Sequence, residues 1–349
     1  MTDDDRPIDV ELDAAAFDAM LATLARGHRI LAPCVLAGKG RFSDTDAVRY
    51  GEVASLAEVE FARKSQASPK EAVFPPSQTL FHFTEESVQQ PADDARGLLV
   101  FVRACDIHGF ARLDQIFLGN GSVRDPFYEE RRSKVKFVLM ECAASMENCF
   151  CVSMGTHRSD DFAIALRRTE SGVLAKIRDK DLLAALPAGA RQANFELQVP
   201  QQDDAPVTLP DAGKLDRAVR EQDFFNDPFW QEYAKRCIGC GRCNFSCVSC
   251  SCFSTHDVAY SDNPSAGERR RVWASCHVDR FTEMAGGHAV RTDYGSRMRY
   301  KTMHKIYDFR LRFGQPMCVG CGRCDDVCPE YIKFSACINK IARLLEERT

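Results

Sequence analysis

The chain has 349 residues, of which 45% are hydrophobic, and this is enough for a sizeable core and for two domains. Its 46 basic and 50 acidic side chains leave a net charge of −4, so no basic excess points to nucleic acid or to an anionic membrane surface as a partner. The acidic start lacks the apolar run of a signal peptide, and the longest apolar runs are too short to span a bilayer, so we expect a cytoplasmic protein.

Residues 1–225 predict a mixed α/β domain, because short apolar runs alternate with helical patterns. The predicted elements in chain order are a helix over 13–26, strands over 29–37 and 97–104, a helix over 106–118, a strand over 135–141, a hairpin over 162–177 and a short helix over 179–186. Asp125 with the proline after it predicts the start of another helix. A stretch rich in Gln, Asp and Pro over 200–210 indicates a linker, and we place the domain boundary after residue 225.

Residues 226–349 have a different character, with Arg-rich segments that favour helices and with no clear strands. Helices are predicted over 268–273, 297–313 and 331–348. The predicted fold class is therefore an α+β N-terminal domain followed by an α-helical ferredoxin-type domain.

Cysteine is the unusual residue in this composition. The 17 cysteines are an odd number, and most of them are bunched rather than spread along the chain. In a reducing compartment such bunches are typical of metal ligands and not of disulfides.

Two cysteine runs repeat one pattern. The first run, CIGCGRCNFSC at 237–247, and the second run, CVGCGRCDDVCP at 318–329, both follow C-x2-C-x2-C-x3-C. In two-cluster ferredoxins the first three cysteines of such a run bind one [4Fe–4S] cluster and the fourth binds the other. The spacing thus predicts two sets of four ligands. The first cysteine set is Cys237, Cys240, Cys243 and Cys328. The second cysteine set is Cys318, Cys321, Cys324 and Cys247.

Zinc is the alternative for these runs, but zinc ribbons use two separated C-x2-C pairs with four ligands per ion, a spacing that neither run has. The long helical connection between the runs favours an α-helical module over a small β-containing ferredoxin. Val248 stands where the second run has Pro329. For Cys250 and Cys252 we favour packing beside a cluster over ligation, because two complete sets already exist.

A third cysteine set lies in the N-terminal domain and comprises Cys105, Cys142, Cys149 and Cys151. Cys105 and Cys142 each follow a predicted strand, so in a parallel sheet both emerge at the same edge. Four converging thiols suit a third [4Fe–4S] cluster or a zinc ion, and buried structural cysteines are the alternative.

Four segments resemble the 4Fe–4S electron-transfer subunit of the anaerobic, NADH-linked sulfite reductases and, more loosely, the beta subunit of cytoplasmic sulfhydrogenases. They are VRACDIHGFARLDQIFL, CFCVSMGTH, GERRRVWASCHVDRFTEMAGGHAVR and HKIYDFRLRFGQPMCVGCGRCDDVCPEYIKFSACINKI. The resemblance implies an electron-transfer protein that receives electrons from a flavin subunit using NADH. It would pass them to a sirohaem subunit that reduces sulfite to sulfide. The resemblance also favours a cluster at the third cysteine set.

The residues themselves predict a non-catalytic relay within an oxidoreductase complex. The chain has no G-x-G-x-x-G, Walker lysine, H-E-x-x-H or G-x-S-x-G motif, so we predict no catalytic residue. The predicted cofactors are two [4Fe–4S] clusters, or three if the third cysteine set also binds one. The alternatives are the same relay in a [NiFe] hydrogenase complex and an iron–sulfur sensor. Arg242 and Arg323 could lie near the cluster sulfurs, on a docking face or on a solvent-exposed helix, and the sequence does not decide between these locations.

Overall fold

The computed structural model describes residues 6–41, 44–221 and 223–348. The strands are β1 (Ile8–Asp13), β2 (His28–Leu36), β3 (Ala47–Glu52), β4 (Ser77–Phe83), β5 (Val88–Gln89), β6 (Gly97–Val102), β7 (Val135–Met140), β8 (Ile164–Arg168), β9 (Gly172–Ile177), β10 (Arg191–Gln192), β11 (Phe253–Ala259) and β12 (Gly267–Trp273). The α-helices are α1 (Ala14–Leu24), α2 (Ala104–Phe117), α3 (Pro126–Ser133), α4 (Lys180–Leu183), α5 (Ala212–Glu221), α6 (Gln231–Arg236), α7 (Arg242–Phe245), α8 (Tyr294–Met303), α9 (Phe309–Phe313), α10 (Arg323–Asp326) and α11 (Phe334–Glu347).

The larger sheet belongs to the N-terminal half of the chain. Within the described residues it has eight strands in the order β10-β1-β9-β8-β7-β6-β2-β3, and β2, β6, β7 and β8 pair in parallel. The run Leu98 to Val102 is buried throughout, as expected for a parallel strand that is covered on both faces. The predicted strands, the helix that follows β6 and the β8–β9 hairpin are confirmed.

Helices cover both faces of this sheet. Asp13 caps α1 by accepting a hydrogen bond from the Ala16 amide at 2.8 Å, and apolar side chains at helical spacing bury this helix in one core. α2 packs into the core on the other face. Asp125 caps α3, as the sequence predicts, by accepting from the Tyr128 amide at 2.9 Å.

The smaller sheet corrects the prediction of a C-terminal half without strands. In the part of the chain that the structure describes it has four strands in the order β11-β12-β4-β5. The helix predicted over 268–273 is wrong, because this segment is β12 and pairs antiparallel with β4. Its arginines suggested a helix, yet Arg271 points inward and its guanidinium pairs with the Asp125 carboxylate at 2.7 Å. The sheet thus joins strands from both sides of the predicted boundary after residue 225.

The remaining C-terminal predictions are confirmed as helices. α8 and α9 flank a π-helical turn at His304–Asp308 and together form one continuous helical stretch, and α11 follows the second cysteine run. The stretch 200–210 is anchored and is not a free linker, since the Asp203 carboxylate accepts from the amides of Val152 and Ser153, each at 2.7 Å. No helix within the described ranges is both long enough and apolar enough to cross a membrane.

Candidate iron–sulfur centres

The first cysteine set surrounds one cavity. The loop after α6 turns through Gly239 and Gly241, which have φ of 69° and 72°, a conformation that suits glycine. All four predicted ligands, Cys237, Cys240, Cys243 and Cys328, line a cavity that holds about 490 Å³ of space together with its open mouth. The structure therefore brings the cysteines of the first run together with the fourth cysteine of the second run, in the crossed arrangement that the spacing predicts.

Buried groups surround this cavity on the protein side. His277 and Lys301 both line it, and His277 Nδ1 lies 3.6 Å from Cys237 Sγ. Burial would lower the pKa of Lys301, but the neighbouring thiolates of Cys243 and Cys324 raise it well above its ordinary value. Lys301 thus lines the cavity of the first set and also interacts electrostatically with Cys324 of the second set. Its cation favours the thiolate form of these cysteines.

The second cysteine set is more deeply buried. Burial raises the pKa of Cys318 to about 12, and the nearby thiols of Cys247 and Cys321 add to the increase. Burial and the neighbouring Asp325 raise the pKa of Cys324, and the thiols of Cys318 and Cys321 add to this increase. The Cys318 amide donates to the Lys305 carbonyl at 3.4 Å, and the Nζ of the same lysine contacts Cys247. The structure thus places Cys247 of the first run beside the cysteines of the second run.

Lys305 compensates for the negative charge at Cys247. Its Nζ lies 3.2 Å from Cys247 Sγ and 3.3 Å from Ser249 Oγ. Burial would raise the pKa of Cys247, but the Lys305 ammonium overcomes this effect and lowers the pKa below its ordinary value. The amine therefore favours the thiolate of Cys247, which is the form in which a cysteine can bind metal.

Val248, which stands where the second run has Pro329, packs against the N-terminal half of the chain. It is fully buried, and a Cβ added to Gly109 of α2 would lie 2.3 Å from Val248 Cγ1. The end of the first run therefore packs directly on the N-terminal half of the chain.

The third cysteine set converges at the edge of the large sheet. Cys105 lies at the start of α2 just after β6, Cys142 follows β7, and these two strands are parallel neighbours. Burial raises the pKa of Cys151 to about 12, with further contributions from the thiols of Cys149 and Cys142. Cys105 interacts in turn with Cys151. The structure thus places these four cysteines near one edge of the sheet, and their binding of a cluster stays a prediction.

The second and third cysteine sets lie next to each other. Cys149 Sγ is 3.5 Å from the Cys321 carbonyl oxygen, and the Phe150 amide donates to the Gly320 carbonyl at 2.8 Å. Lys64 bridges the two sets, because its Nζ donates to the Cys321 carbonyl at 3.1 Å and lies 3.6 Å from Cys149 Sγ. Sequence reasoning missed Lys64, Lys301 and Lys305, since an isolated lysine has no spacing signature.

Further cysteines follow the first run, and Cys250 adjoins the second set because its amide donates to the Cys247 carbonyl at 3.3 Å. Cys276 is buried, with its Sγ 2.9 Å from Asn244 Nδ2, and it neighbours Cys250 and Cys252. The buried ammonium of Lys70 donates to the Cys250 carbonyl at 3.0 Å and lies 4.1 Å from the Trp273 ring centre. Among residues 6–41, 44–221 and 223–348, no group of three or more His, Cys, Asp or Glu side chains is arranged to hold a single metal ion.

The donor chemistry of the three cysteine sets fits [4Fe–4S] clusters, which are held by four thiolates each. Residues 236–332 match the family of 4Fe-4S dicluster domains. The chain is also 29% identical over 309 residues to the sulfhydrogenase 2 subunit beta of Pyrococcus furiosus, and the match covers 84% of this chain and 88% of that protein. These similarities confirm the predicted [4Fe–4S] cofactors and the predicted relationship to the beta subunit of sulfhydrogenases.

Proposed function

We propose that this chain, an iron–sulfur electron-transfer protein related to the sulfhydrogenase beta subunit, relays electrons within a hydrogenase complex between a flavin subunit that uses NADH and a [NiFe] subunit. The observation that carries the proposal is the order of the three cysteine sets. α7 leads from Cys243 of the first set to Cys247 of the second, α10 leads from Cys324 of the second set to Cys328 of the first, and the second set contacts the third. Such an order suits a relay in which electrons enter at one end and leave at the other.

The protein supplies the ligands and the electrostatic environment. Each [4Fe–4S] cluster, when bound, accepts and releases one electron at a time. Twelve thiolates in three sets would hold three clusters, and the cations of Lys64, Lys301 and Lys305 would offset their negative charge. Cations and hydrogen bonds near the cysteine sulfurs raise the reduction potential of such groups, and burial keeps water away.

Metal analysis tests the number of clusters. Anaerobically purified chain should contain about twelve irons and about twelve acid-labile sulfides, since each cluster has about four of each. Cys149→Ser should lower both numbers by about four, while Cys34→Ser, which changes a thiol outside the three sets, should leave them unchanged. A Cys149→Ser protein that keeps about twelve irons would contradict the third site, and about eight irons in the unmodified chain would leave only two clusters.

The sequence favoured sulfite reduction, in which a sirohaem subunit would accept the electrons. Similarity to a sulfhydrogenase subunit supports the hydrogenase alternative better, so we keep sulfite reduction as the second candidate. It rests on the four resembling segments, which extend over both halves of the chain.

The native complex distinguishes the two candidates. We expect the purified complex to contain nickel and to reduce methyl viologen with hydrogen. A sirohaem absorption spectrum together with oxidation of reduced methyl viologen by sulfite, and no reaction with hydrogen, would reverse the assignment.

A further inference from the structure

The two cysteine runs share a Gly-Arg pair after their second cysteine, yet the structure buries only one of the two arginines. Arg323 is 2% exposed, whereas Arg242 lies on the surface. The glycine before the second cysteine of each run shows the same difference in surroundings. A Cβ on Gly320 would meet the backbone of Phe150 at 2.4 Å, while one on Gly239 would meet only the Tyr294 side chain. The Gly-Arg segment of the second run therefore faces the N-terminal half of the chain, whereas the loop of the first run from Ile238 to Arg242 reaches solvent.

The surface beside the first cysteine set has an apolar centre. Cys240 is an exposed member of this set. Ile238, between two of the ligands, is 56% exposed, and Tyr331, shortly after Cys328, is 76% exposed. Large apolar side chains this exposed at the rim of a redox centre are typical of a contact surface for another protein.

Exposed basic side chains are close in sequence to residues that line the cavity: Lys235 comes two positions before Cys237, Arg242 follows Gly241, and Lys333 follows Ile332. Lys235, Arg242 and Lys333 are exposed, and within the described residues none of the three forms an ion pair. Arg236 is paired with Glu232, and its Nη2 donates to the Tyr331 carbonyl at 3.3 Å across the rim.

Two acidic residues also lie at this rim. Glu330 lines the cavity and is exposed. Asp279 is paired with Arg297 at 3.4 Å. The three unpaired cations outnumber Glu330 and leave the face positive, although the whole chain has a net charge of −4.

We propose that this face, made of Lys235, Ile238, Arg242, Tyr331 and Lys333, docks an acidic redox protein that exchanges electrons with the first cluster. The inference rests on the proposed relay function and specifies one of its two ends. Opposite charges steer the partner and raise its association rate, and the apolar centre excludes water once the two surfaces meet. Because the second run faces inward, the first cluster is the one that a docked protein can approach through this face.

Stopped-flow oxidation tests the docking face. The full chain with its clusters, reduced by dithionite, is mixed with acidic cytochrome b5, with basic cytochrome c, or with a neutral quinone. We expect oxidation by cytochrome b5 to be fast at low ionic strength and to slow as salt is added, and oxidation by cytochrome c to show no such decrease.

The decisive variant reverses the three unpaired charges: Lys235→Glu, Arg242→Glu and Lys333→Glu. It should lower the rate with cytochrome b5 by about tenfold or more at low ionic strength, since steering changes association rates by about 10–10³-fold. The matched control reverses three exposed cations of the N-terminal half, Arg26→Glu, Lys39→Glu and Arg191→Glu, and should keep the rate within about twofold. If the triple variant loses iron, the double variant without the Arg242 change replaces it.

Each contrary outcome has a distinct meaning. An equal loss of rate in the control variant, or a cytochrome b5 rate that does not depend on salt, would overturn the docking face. If the reduced chain passes electrons to the quinone at the normal rate and the charge reversal changes nothing, only the docking inference fails. If the reduced chain passes no electrons even to the quinone, the relay function itself fails.

Discussion

Arg323 and Asp106 form a buried ion pair between residues 217 positions apart, with 3.0 Å between Arg323 Nη2 and Asp106 Oδ2. Asp106 is next to Cys105 of the third cysteine set, and Arg323 lies between Cys321 and Cys324 of the second. Burial would lower the pKa of Arg323, but the Asp106 carboxylate raises it well above its ordinary value. The pair therefore ties two cysteine sets together, and its guanidinium stays charged.

Loss of this arginine should strongly destabilise the fold. Arg323→Leu leaves the Asp106 carboxylate buried without its ion-pair partner, which typically costs about 3–5 kcal/mol. Arg242→Leu is the matched control, because it changes the equivalent but exposed residue of the first run and should cost less than about 0.5 kcal/mol. Denaturant unfolding under anaerobic conditions measures both. Equal losses in the two variants would contradict a special role for the buried pair, and adding Asp106→Leu to Arg323→Leu should recover part of the loss.

Gly320 should tolerate no side chain, because two separate effects oppose one. Its φ is 66°, and a Cβ would lie 2.4 Å from the Phe150 carbonyl oxygen. Gly155 is a matched control, since its φ is 67° but its Cβ position has no atom within 4 Å. Gly155→Ala should therefore cost only the backbone strain, about 1 kcal/mol.

Gly320→Ala adds a clash with backbone atoms to the same strain, so it should lower the free energy of unfolding well beyond the Gly155→Ala value. It should also reduce the iron content, because the displaced loop holds Cys318 and Cys321. Iron analysis and denaturant unfolding of both variants check this. Equal stability and equal iron content in the two would show that the contact between Gly320 and Phe150 is unimportant.

His304 should make stability depend on pH. Its ring stacks on Tyr300, and burial, assisted by the neighbouring Lys305, lowers its pKa below the ordinary value of 6.5. Below about pH 6.5 the unfolded chain therefore binds a proton that the folded chain does not, and stability falls as pH falls toward the folded pKa. This contribution cannot exceed about 1.4 kcal/mol per pH unit.

His304→Phe keeps the ring contact and removes the titration, so unfolding free energies between pH 7.5 and 5.5 should fall less steeply than in the unmodified chain. His256→Phe, on the exposed strand β11, should keep the original slope. A His304→Phe slope identical to the original would exclude this residue as the cause.

The sequence predicted those parts of the fold whose signals are local. Apolar runs identified the strands β6 and β7, and the Asp125-Pro pair identified the start of α3, because each of these depends on near neighbours along the chain. The strand β12 was missed for the opposite reason. Its arginines favour a helix locally, but Arg271 is held in a strand by Asp125 and Gln78, which are distant in the sequence.

In the candidate site, too, the sequence predicted the features with a local signal and missed those that depend on tertiary packing. Cysteine spacing predicted which thiols converge, since the geometry of a cluster constrains that spacing. The cations of Lys64 and Lys305 left no signal in the sequence, because each reaches its cysteine through tertiary packing alone. The two Gly-Arg pairs are identical in sequence, and only the structure distinguishes a buried arginine at 323 from an exposed one at 242.

The division into residues 1–225 and 226–349 stays a prediction, and contacts across it lead us to expect that the second fragment does not fold alone. Without the first fragment, β12 loses its six paired positions on β4, and Arg271 loses the Asp125 carboxylate. The buried side chain of Val248 loses the surface of α2 around Gly109. An exposed strand edge and an unpaired buried cation both favour aggregation or unfolding.

Expression of residues 226–349 alone should therefore give aggregated protein with little iron, as measured by size-exclusion chromatography and iron analysis. Co-expression with residues 1–225 should restore a soluble complex with the iron content of the intact chain. A monodisperse fragment that binds about eight irons would show that the two-cluster module is independent, and that the sheet shared by β4 and β12 only attaches it to the rest of the chain.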